Sequence, residues 1–224
     1  MIQAQNLKKS FLFGASGKVI DVLRGIDLTV RAGEMLAVEG ASGAGKSTLL
    51  HILGTLDRPT EGKVLFEGQD LFDRTEGELA ELRNRHIGFV FQLHHLLPEF
   101  SALENALMPG LIQGWALKKA GAEAERILVQ LGLKDRLHHK PGQLSGGEQQ
   151  RVAVARALML NPKMILADEP TGNLDTQIGE EVHNLLVRIN REQGITIIIV
   201  THNPFLAARM TRRVRLSDGR VQES

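Results

Sequence analysis

The chain of 224 residues contains no cysteine, which excludes disulfide bonds and thiolate metal sites. Its net charge is only +1, so electrostatics give no reason to expect nucleic acid as a main partner. No apolar run approaches the roughly 20 residues needed to span a bilayer. The N-terminus also lacks the apolar core of a signal peptide. These absences predict a soluble protein of a reducing compartment such as the cytosol, which reaches a membrane only through a partner.

The sequence does contain short apolar strands and helical patterns in alternation. Strand patterns occupy residues 18–40 and 62–71, and the continuous apolar runs MILAD and ITIIIV are typical of parallel strands buried on both faces. The region from about 93 to 161 reads as helices inserted into this α/β core. We therefore predict one α/β domain over residues 1–224 with an inserted helical subdomain. RRVRLSDGRVQES predicts a C-terminal hairpin.

A glycine-rich loop joins a predicted strand to a predicted helix at residues 40–48. Its sequence GASGAGKS matches G-x-x-x-x-G-K-[ST] in the context that a phosphate loop requires, which argues against a chance turn. Lys46 is expected to reach the β- and γ-phosphates, the Ser47 hydroxyl to ligate Mg²⁺, and Thr48 to contact the α-phosphate. The predicted nucleotide-binding residues of this loop are Gly40, Ala41, Ser42, Gly43, Ala44, Gly45, Lys46, Ser47 and Thr48.

Polar residues follow three further predicted strands, where ligands bind in open α/β sheets. Asp168 is placed to hold Mg²⁺ through water, and Glu169 to orient and deprotonate an attacking water. His202 follows another strand and can hydrogen-bond a γ-phosphate, although a loop histidine without a role is the alternative. Gln92 can reach Mg²⁺ or water, or it can belong to an ordinary surface.

A second glycine-rich loop precedes a helical pattern in QLSGGEQQRVAVARAL, residues 143–158. Ser145 and Glu148 fit the capping box S-x-x-E, so a capped helix is one interpretation. A cap does not require Gly146 and Gly147, and glycines cost helix stability. The two glycines make more sense if something must approach the backbone closely. One phosphate chain cannot easily fill two loops of one monomer. Two chains that meet head-to-tail could each offer this second loop to the other's nucleotide.

These motifs together resemble ABC-transporter ATP-binding subunits over nearly the whole chain. The resemblance implies ATP hydrolysis and a homodimer that holds two ATP molecules between phosphate loops and signature motifs. It also implies an N-terminal antiparallel β-subdomain beside the phosphate-loop core and the inserted helical subdomain. The matching motifs are the phosphate loop, the Q-loop Gln92, the signature at 144–148 with Ser145, Gly146, Gly147 and Glu148, the Walker B Asp168 with catalytic Glu169, the D-loop at 172–175, and the switch His202.

In this family an aromatic residue upstream of the phosphate loop stacks on adenine. Phe11 fits that position where tyrosine is more usual, and Phe13 is close enough to be the alternative. The adjacent pairs at 94–95 and 138–139 are all histidines, but adjacent side chains diverge on a helix or a strand, so we expect no joint metal site. The stretch at 96–98 is expected to line a groove for a membrane subunit, by analogy with the family.

A subgroup is indicated by LRNRHIGFVFQLHHLLPEFSALENALMP, residues 82–109, which is similar to the ATPases of lipoprotein-releasing transporters. This similarity implies a peripheral subunit on the cytoplasmic face of the inner membrane, bound to integral membrane subunits. Macrolide-exporter and cell-division ATPases are the alternatives within the family. A soluble ABC protein acting on DNA or ribosomes, and a simple phosphate-loop kinase, are alternatives of other classes. The compact single cassette and the signature loop argue against them.

Overall fold

The computed structural model describes residues 1–13 and 18–223, and it consists of two compact units. The strand-rich unit comprises Met1–Leu79 and Thr196–Ser224, and the helical unit comprises Ala80–Ile195. In chain order the elements are β1 (Ile2–Phe13), β2 (Lys18–Val30), β3 (Met35–Glu39), α1 (Lys46–Leu53), β4 (Glu61–Phe66), β5 (Gln69–Asp70), α2 (Glu76–His86), β6 (Ile87–Phe91), α3 (Ala102–Ile112), α4 (Leu117–Gln130), α5 (Gly146–Leu158), β7 (Met164–Asp168), α6 (Thr176–Gln193), β8 (Thr196–Thr201), α7 (Pro204–Ala207), β9 (Arg212–Ser217) and β10 (Arg220–Glu223).

The strand-rich unit contains antiparallel and parallel pairings. In the antiparallel sheet, β1 lies between β2 and β4, so that Ile2 pairs with both Val30 and Phe66. Among the parallel strands, β3 pairs with β8 on one side and with β9 on the other. Every residue of β8 is buried, as its continuous apolar sequence predicts. The hairpin of β9 and β10 completes this unit.

The helical unit holds the parallel pair of β6 and β7 together with helices α3 to α6. Helix α5 packs against α3, α4, β6 and α6, and α3 packs against α4. Small residues allow this close packing, because Ala106, Ala120 and Ala124 are fully buried. Gly194 ends α6 in a left-handed conformation with φ of 68°, which glycine adopts without steric cost.

The structure confirms the predicted α/β class and most of the predicted elements. The strands expected within 18–40 are β2 and β3, and the C-terminal hairpin is β9 with β10. The helix after the phosphate loop ends at Leu53, so the apolar Leu56 lies beyond it and is 47% exposed. The helical unit begins before and ends after the predicted helical subdomain, whose limits of about 93 and 161 stay a prediction.

Three elements were not predicted from the sequence: β1, α2 and the four-residue helix α7. Strand β1 carries Asn6, Lys8 and Lys9 and breaks its register at several points, which hides its alternation. Helix α2 buries mainly Leu79 and Leu82, too few apolar positions to establish a helical period. For β1 and α2, contacts with neighbouring elements decide the local structure.

Candidate functional site

The loop between β3 and α1 leaves the start of a helix open. Gly45 is the N-cap residue of α1, with φ of 98° and no side chain that caps the helix. The first turn contains Lys46, Ser47 and Thr48 and no acidic residue. The partial positive charge of this helix start is therefore not neutralised by the helix itself, as an anion-binding N-terminus requires.

Lys46 folds back over the same loop. Its Nζ donates hydrogen bonds to the carbonyl oxygens of Gly40 and Ala41, at 2.9 and 3.0 Å. The ammonium group therefore lies over the loop backbone and not out in bulk solvent. Ser47 is exposed on the first turn, and Thr48 beside it is half-buried. The sequence-predicted phosphate contacts thus gather at one helix start.

At two positions of the loop, neighbouring atoms lie too close for any side chain, so only glycine fits. A Cβ at Gly40 would lie 2.3 Å from the carbonyl oxygen of Leu216. A Cβ at Gly45 would lie 2.9 Å from Leu23 Cδ2, and its positive φ would strain any other residue. The loop is therefore packed tightly between β2 and β9, which fixes the position of its N–H groups.

His202 lies at the same strand edge as the phosphate loop. Strands β3 and β8 are parallel, and Glu39 pairs with Thr201. Gly40 and His202 therefore follow the paired ends of adjacent strands. His202 is exposed, and the next residue, Asn203, caps the short helix α7 by accepting a hydrogen bond from the backbone N–H of Phe205.

Phe11, the predicted adenine-stacking residue, is 41% exposed on β1. Lys9 Nζ lies 4.8 Å from the centroid of its ring, a cation–π distance. One face of the ring is therefore engaged by a cation. The alternative, Phe13, has a side chain that lies outside the described residues.

The helical unit carries the predicted carboxylates at the ends of its strand pair. Phe91 pairs with Asp168, so that Gln92 and Glu169 each follow the end of adjacent parallel strands. Glu169 has φ of 43°, in the left-handed region. For a non-glycine residue this conformation costs on the order of 1–3 kcal/mol, and such strain is concentrated at functional sites.

Gln92 is held by Asn173, which sequence reasoning did not single out beyond its place in the D-loop. Gln92 Nε2 donates to Asn173 Oδ1 at 2.8 Å, and Asn173 Nδ2 donates to the Gln92 carbonyl at 3.4 Å. A Cβ at Gly172 would lie 2.7 Å from Gln92 Nε2. The structure thus brings the Q-loop and the D-loop into direct contact within one unit.

The signature helix α5 begins with the predicted capping box. The backbone N–H of Glu148 donates to Ser145 Oγ at 3.2 Å, and the backbone N–H of Ser145 donates to Glu148 Oε2 at 2.7 Å. Glu148 also accepts a hydrogen bond from Arg136 Nε at 2.9 Å. The bond from the Ser145 backbone, helped by Arg136, lowers the pKa of Glu148 below 4.5, so this carboxylate is ionised at neutral pH.

The paired glycines of this loop have a cause that the sequence did not reveal. A Cβ at Gly147 would lie 2.4 Å from Ile178 Cγ2, and one at Gly146 would lie 3.1 Å from Leu174 Cδ2. An external group close to the backbone is therefore not needed to explain Gly147. At Gly147 the close approach is made by helix α6 of the same chain.

The segment after Gln92 is fixed by side chains of two helices. Arg156 on α5 donates from Nη1 to the His95 carbonyl and from Nη2 to the His94 carbonyl, at 2.6 and 2.7 Å. Asn105 on α3 is 1% exposed, and it bonds both the N–H and the carbonyl of Leu97, at 2.8 and 3.1 Å. Neither Arg156 nor Asn105 was singled out from the sequence, because single polar residues inside helices give no local signal.

The two histidines of this segment do not lie on a helix or a strand, as the sequence reasoning assumed. His94 and His95 have φ values of 60° and 48°, so both adopt left-handed backbone. The His95 ring stacks on Phe91 with centroids 4.8 Å apart. Burial lowers the pKa of His94, and the neighbouring His95 adds to the effect. Within residues 1–13 and 18–223, no group of three or more His, Asp or Glu residues could hold a metal ion.

Comparisons with known proteins agree over nearly the whole chain. A family model described as ABC transporter matches residues 23–172. The lipoprotein-releasing system ATP-binding protein LolD of Syntrophus aciditrophicus is 58% identical over 221 residues, which cover 99% of this chain and 98% of the relative. LolD of Myxococcus xanthus is 54% identical over 224 residues, which cover 100% of this chain and 99% of the relative.

Solved structures give the same result for the fold. A bacterial ABC transporter cassette in its dimeric form is 40% identical with a TM-score of 0.91, and the match covers 100% of this chain and 97% of that one. The same cassette in a dimeric post-hydrolysis state bound to ADP and Pi is 39% identical with a TM-score of 0.91, covering 100% and 98%.

These likenesses confirm the predicted ABC ATPase fold. In the part of the chain that the structure describes, no helix has the length and apolar character to cross a bilayer. The matched family model spans more than half of the chain, and the relatives align with it from end to end. The chain therefore belongs to the ABC transporter family, as one of its ATP-binding and ATP-hydrolysing subunits.

Proposed function

We propose that the loop of residues 40–48 binds the phosphates of ATP. The observation that carries this proposal is the open start of α1, which has a glycine N-cap and no acid in its first turn. Lys46 already lies over the loop and would exchange its bonds to the Gly40 and Ala41 carbonyls for phosphate oxygens. Ser42, Gly43 and the other loop residues would contribute backbone N–H groups, and Phe11 would stack on adenine.

Mg²⁺ would be held by Ser47, Gln92 and Asp168 together with phosphate oxygens. A hydroxyl, an amide and a carboxylate are oxygen donors of the kind that Mg²⁺ prefers. Since Gln92 Nε2 is bound to Asn173, its Oε1 is the atom left for a cation. When bound, the ion neutralises charge that develops on the phosphates. Glu169 would deprotonate the attacking water, and His202 would hydrogen-bond the γ-phosphate.

Two copies of the chain would enclose ATP between the phosphate loop of one and Ser145, Gly146, Gly147 and Glu148 of the other. The dimeric cassettes reported above support this assembly, although they are other proteins. The Ser145 hydroxyl supports it as well. It accepts the cap bond from the Glu148 N–H, and its hydrogen, which helps to lower the pKa of Glu148, would turn from that carboxylate to a phosphate.

The chain would power integral membrane subunits that release lipoproteins from the inner membrane toward the outer membrane. Identities of 54–58% to proteins named LolD support this role over the macrolide-exporter and cell-division alternatives. The chain would act as a peripheral subunit on the cytoplasmic face of the inner membrane. The exposed Leu93, Leu97 and Phe100 would meet a membrane subunit.

Replacement of the proposed base tests the catalytic assignment. Glu169→Gln should keep ATP binding but lower hydrolysis by about 10²–10⁴-fold, the usual contribution of a general base. Trapped ATP should then hold two chains together on sizing chromatography with Mg-ATP. A Glu169→Gln protein that hydrolyses ATP at the wild-type rate would remove Glu169 from this role.

Depletion in a Gram-negative cell tests the transport assignment. Outer-membrane lipoproteins should accumulate in the inner membrane, and the tagged chain should copurify with its membrane subunits. Normal lipoprotein sorting, combined with lost macrolide resistance or failed septation, would refute lipoprotein release and leave the ATPase assignment standing.

A further inference from the structure

We propose that Arg156 is a positioning residue that ties the segment of residues 93–100 to the signature helix α5. The tie is a pair of hydrogen bonds from one guanidinium to the consecutive carbonyls of His94 and His95, at 2.7 and 2.6 Å. Through it, a displacement of the segment would be transmitted to α5 and so to Ser145 at the start of that helix. The proposal rests on the proposed function, because it supposes that a membrane subunit docks on this segment.

The guanidinium has no other described partner to hold it. No carboxylate among the described residues pairs with Arg156, and the cause of its lowered pKa is burial. The group stays protonated at neutral pH nevertheless. A partly buried charge is stabilised by whatever hydrogen bonds it makes, and here these are the two carbonyls. Loss of the guanidinium or of the carbonyls would leave the remaining group poorly hydrogen-bonded.

The two carbonyls converge on Arg156 because of an unusual backbone. His94 and His95 both have positive φ, a conformation that costs free energy for residues other than glycine. Two such residues in succession persist only when surrounding contacts hold them. The planar fork of arginine can bridge both acceptors at once, whereas the single ammonium group of lysine cannot hold the same geometry.

Neighbouring contacts bind the two ends of the segment in the same way. At its start, Gln150 on α5 is fully buried and directs Nε2 toward the Phe91 carbonyl at 3.5 Å. At its end, Asn105 on α3 donates to the Leu97, Phe100 and Ser101 carbonyls at 3.0–3.1 Å. The backbone is thus held near both ends, and Arg156 supplies the contact in the middle.

Three apolar side chains of the segment are exposed and could meet a partner. Leu93, Leu97 and Phe100 are exposed by 69%, 43% and 37%. Apolar side chains on a rigid backbone make a preorganised docking surface, because little conformational entropy is lost on binding. A docking surface of this kind moves together with the elements that hold it, and α5 is one of these elements.

Hydrogen exchange on the isolated full chain tests the tie directly. The N–H groups of His94, His95 and Leu97 donate to Phe91, Leu93 and Asn105 at 3.1, 2.6 and 2.8 Å, so they report on the segment. Arg156→Gln should raise exchange of peptides covering 93–100 by about tenfold or more, and Arg156→Lys should have an intermediate effect. Exchange of peptides in α1 should not change.

Arg126→Gln is the matched control. Arg126 is an exposed arginine on α4 whose guanidinium bonds Glu123 and Gln130 of the same helix. This substitution should leave exchange of residues 93–100 unchanged. Unchanged exchange in Arg156→Gln and Arg156→Lys would overturn the proposal, as would equal effects of Arg126→Gln. If Arg156→Gln does not fold, Arg156→Lys keeps the charge and still decides the question.

A kinetic comparison separates positioning from mere stability. The complex that copurifies with the wild-type chain is compared with the chain alone for ATP hydrolysis. Both variants should keep the rate of the chain alone within about twofold, but Arg156→Gln should lose most of the stimulation by membrane subunits and Arg156→Lys part of it. Full stimulation would overturn transmission through Arg156. If wild type itself neither binds nor responds to membrane subunits, the proposed function fails, while the exchange result still decides whether Arg156 holds the segment.

Discussion

Two helices that the sequence marks as phosphate sites begin in opposite ways. Helix α1 begins at Gly45 with no side-chain cap, and its first turn carries a lysine and two hydroxyl residues. Helix α5 begins at Ser145 with a complete capping box, in which the Glu148 carboxylate covers the Ser145 N–H. One helix start is left open for an outside anion, and the other is already supplied with an anion by its own chain.

This difference separates two ways of contacting one nucleotide. The open start of α1 offers the helix dipole and backbone N–H groups, which attract phosphate without regard to its exact geometry. At α5 the dipole is already complemented by Glu148, whose charge is in turn paired with Arg136. What α5 has left to offer is the Ser145 hydroxyl, a short-range and directional donor. We therefore expect α1 to determine ATP affinity and α5 to determine the rate.

The largest effect should follow from giving α1 the acid that α5 has. Thr48 occupies the third position of α1, which corresponds to Glu148 in α5. Thr48→Glu should weaken ATP binding about 100-fold relative to Thr48→Gln, because two unit charges ~5–6 Å apart at an effective dielectric near 20 repel by about 3 kcal/mol. Isothermal titration with Mg-ATP measures both constants.

The same pair of variants provides its own stability control. An acid in the first turn favours the helix, so Thr48→Glu should unfold at the same or a higher temperature than Thr48→Gln. Equal ATP affinity in the two variants would contradict the assignment of the α1 start as the phosphate site. A lower unfolding temperature would trace the lost affinity to misfolding instead.

A tenfold effect on rate is expected at Ser145. Ser145→Ala removes a hydroxyl donor to phosphate, and a hydrogen bond to a charged group is worth roughly 1.5–3 kcal/mol. ATP should still bind, because Lys46 and its loop are unchanged. Ser145→Asp keeps an acceptor for the cap but replaces the hydroxyl donor with a carboxylate that repels phosphate, so it should recover stability and not hydrolysis. Recovery of both would assign Ser145 to the cap alone.

Mixed dimers show whether the hydroxyl acts on the partner's nucleotide. In a dimer of Ser145→Ala and Glu169→Gln chains, one shared site carries both defects and the other carries neither. Phosphate release should rise above that of either variant and peak near an equal mixture. Additive activity, without an ATP-dependent crosslink between cysteines introduced near Ser145 and Ser42 of different chains, would exclude the shared site.

The smallest effect is expected when the negative charge at the start of α5 is removed. Glu148→Gln should cost about 1 kcal/mol of stability or less, a typical effect for a cap contact. The folded pKa of Glu148 is lowered, so its contribution is complete above its unfolded value near 4.5 and is lost as pH falls through the lower folded value. Chemical denaturation from neutral pH to pH ~3 should show the difference between wild type and Glu148→Gln shrink. A difference that stays constant would remove Glu148 ionisation as its cause.

Much of the fold and the main motifs could be predicted because their signals are local. The apolar run that becomes β8 and the glycine pattern of residues 40–48 fix strands and a loop without distant information. The S-x-x-E spacing likewise predicted the cap at Ser145, which the structure confirms. Periodicity and turn chemistry act over a few residues, and these residues are adjacent in the sequence.

The missing parts depend on contacts between residues far apart in the chain. Nothing near Gly147 announces that Ile178 will occupy the space of its side chain. Arg156 reads as one more polar position of an amphipathic helix, yet it bonds carbonyls more than sixty residues away. The left-handed backbone at His94 was also hidden, because histidine carries no signal for positive φ comparable to glycine.

The position of Trp115 determines which part of this protein intrinsic fluorescence can report on. The chain has one tryptophan and no tyrosine, and the Trp115 ring lies in the helical unit with Lys119 Nζ 3.9 Å from its centroid. Intrinsic fluorescence therefore arises from the helical unit. A change of emission when nucleotide is added to the unlabelled chain would therefore report that the helical unit itself responds to the nucleotide.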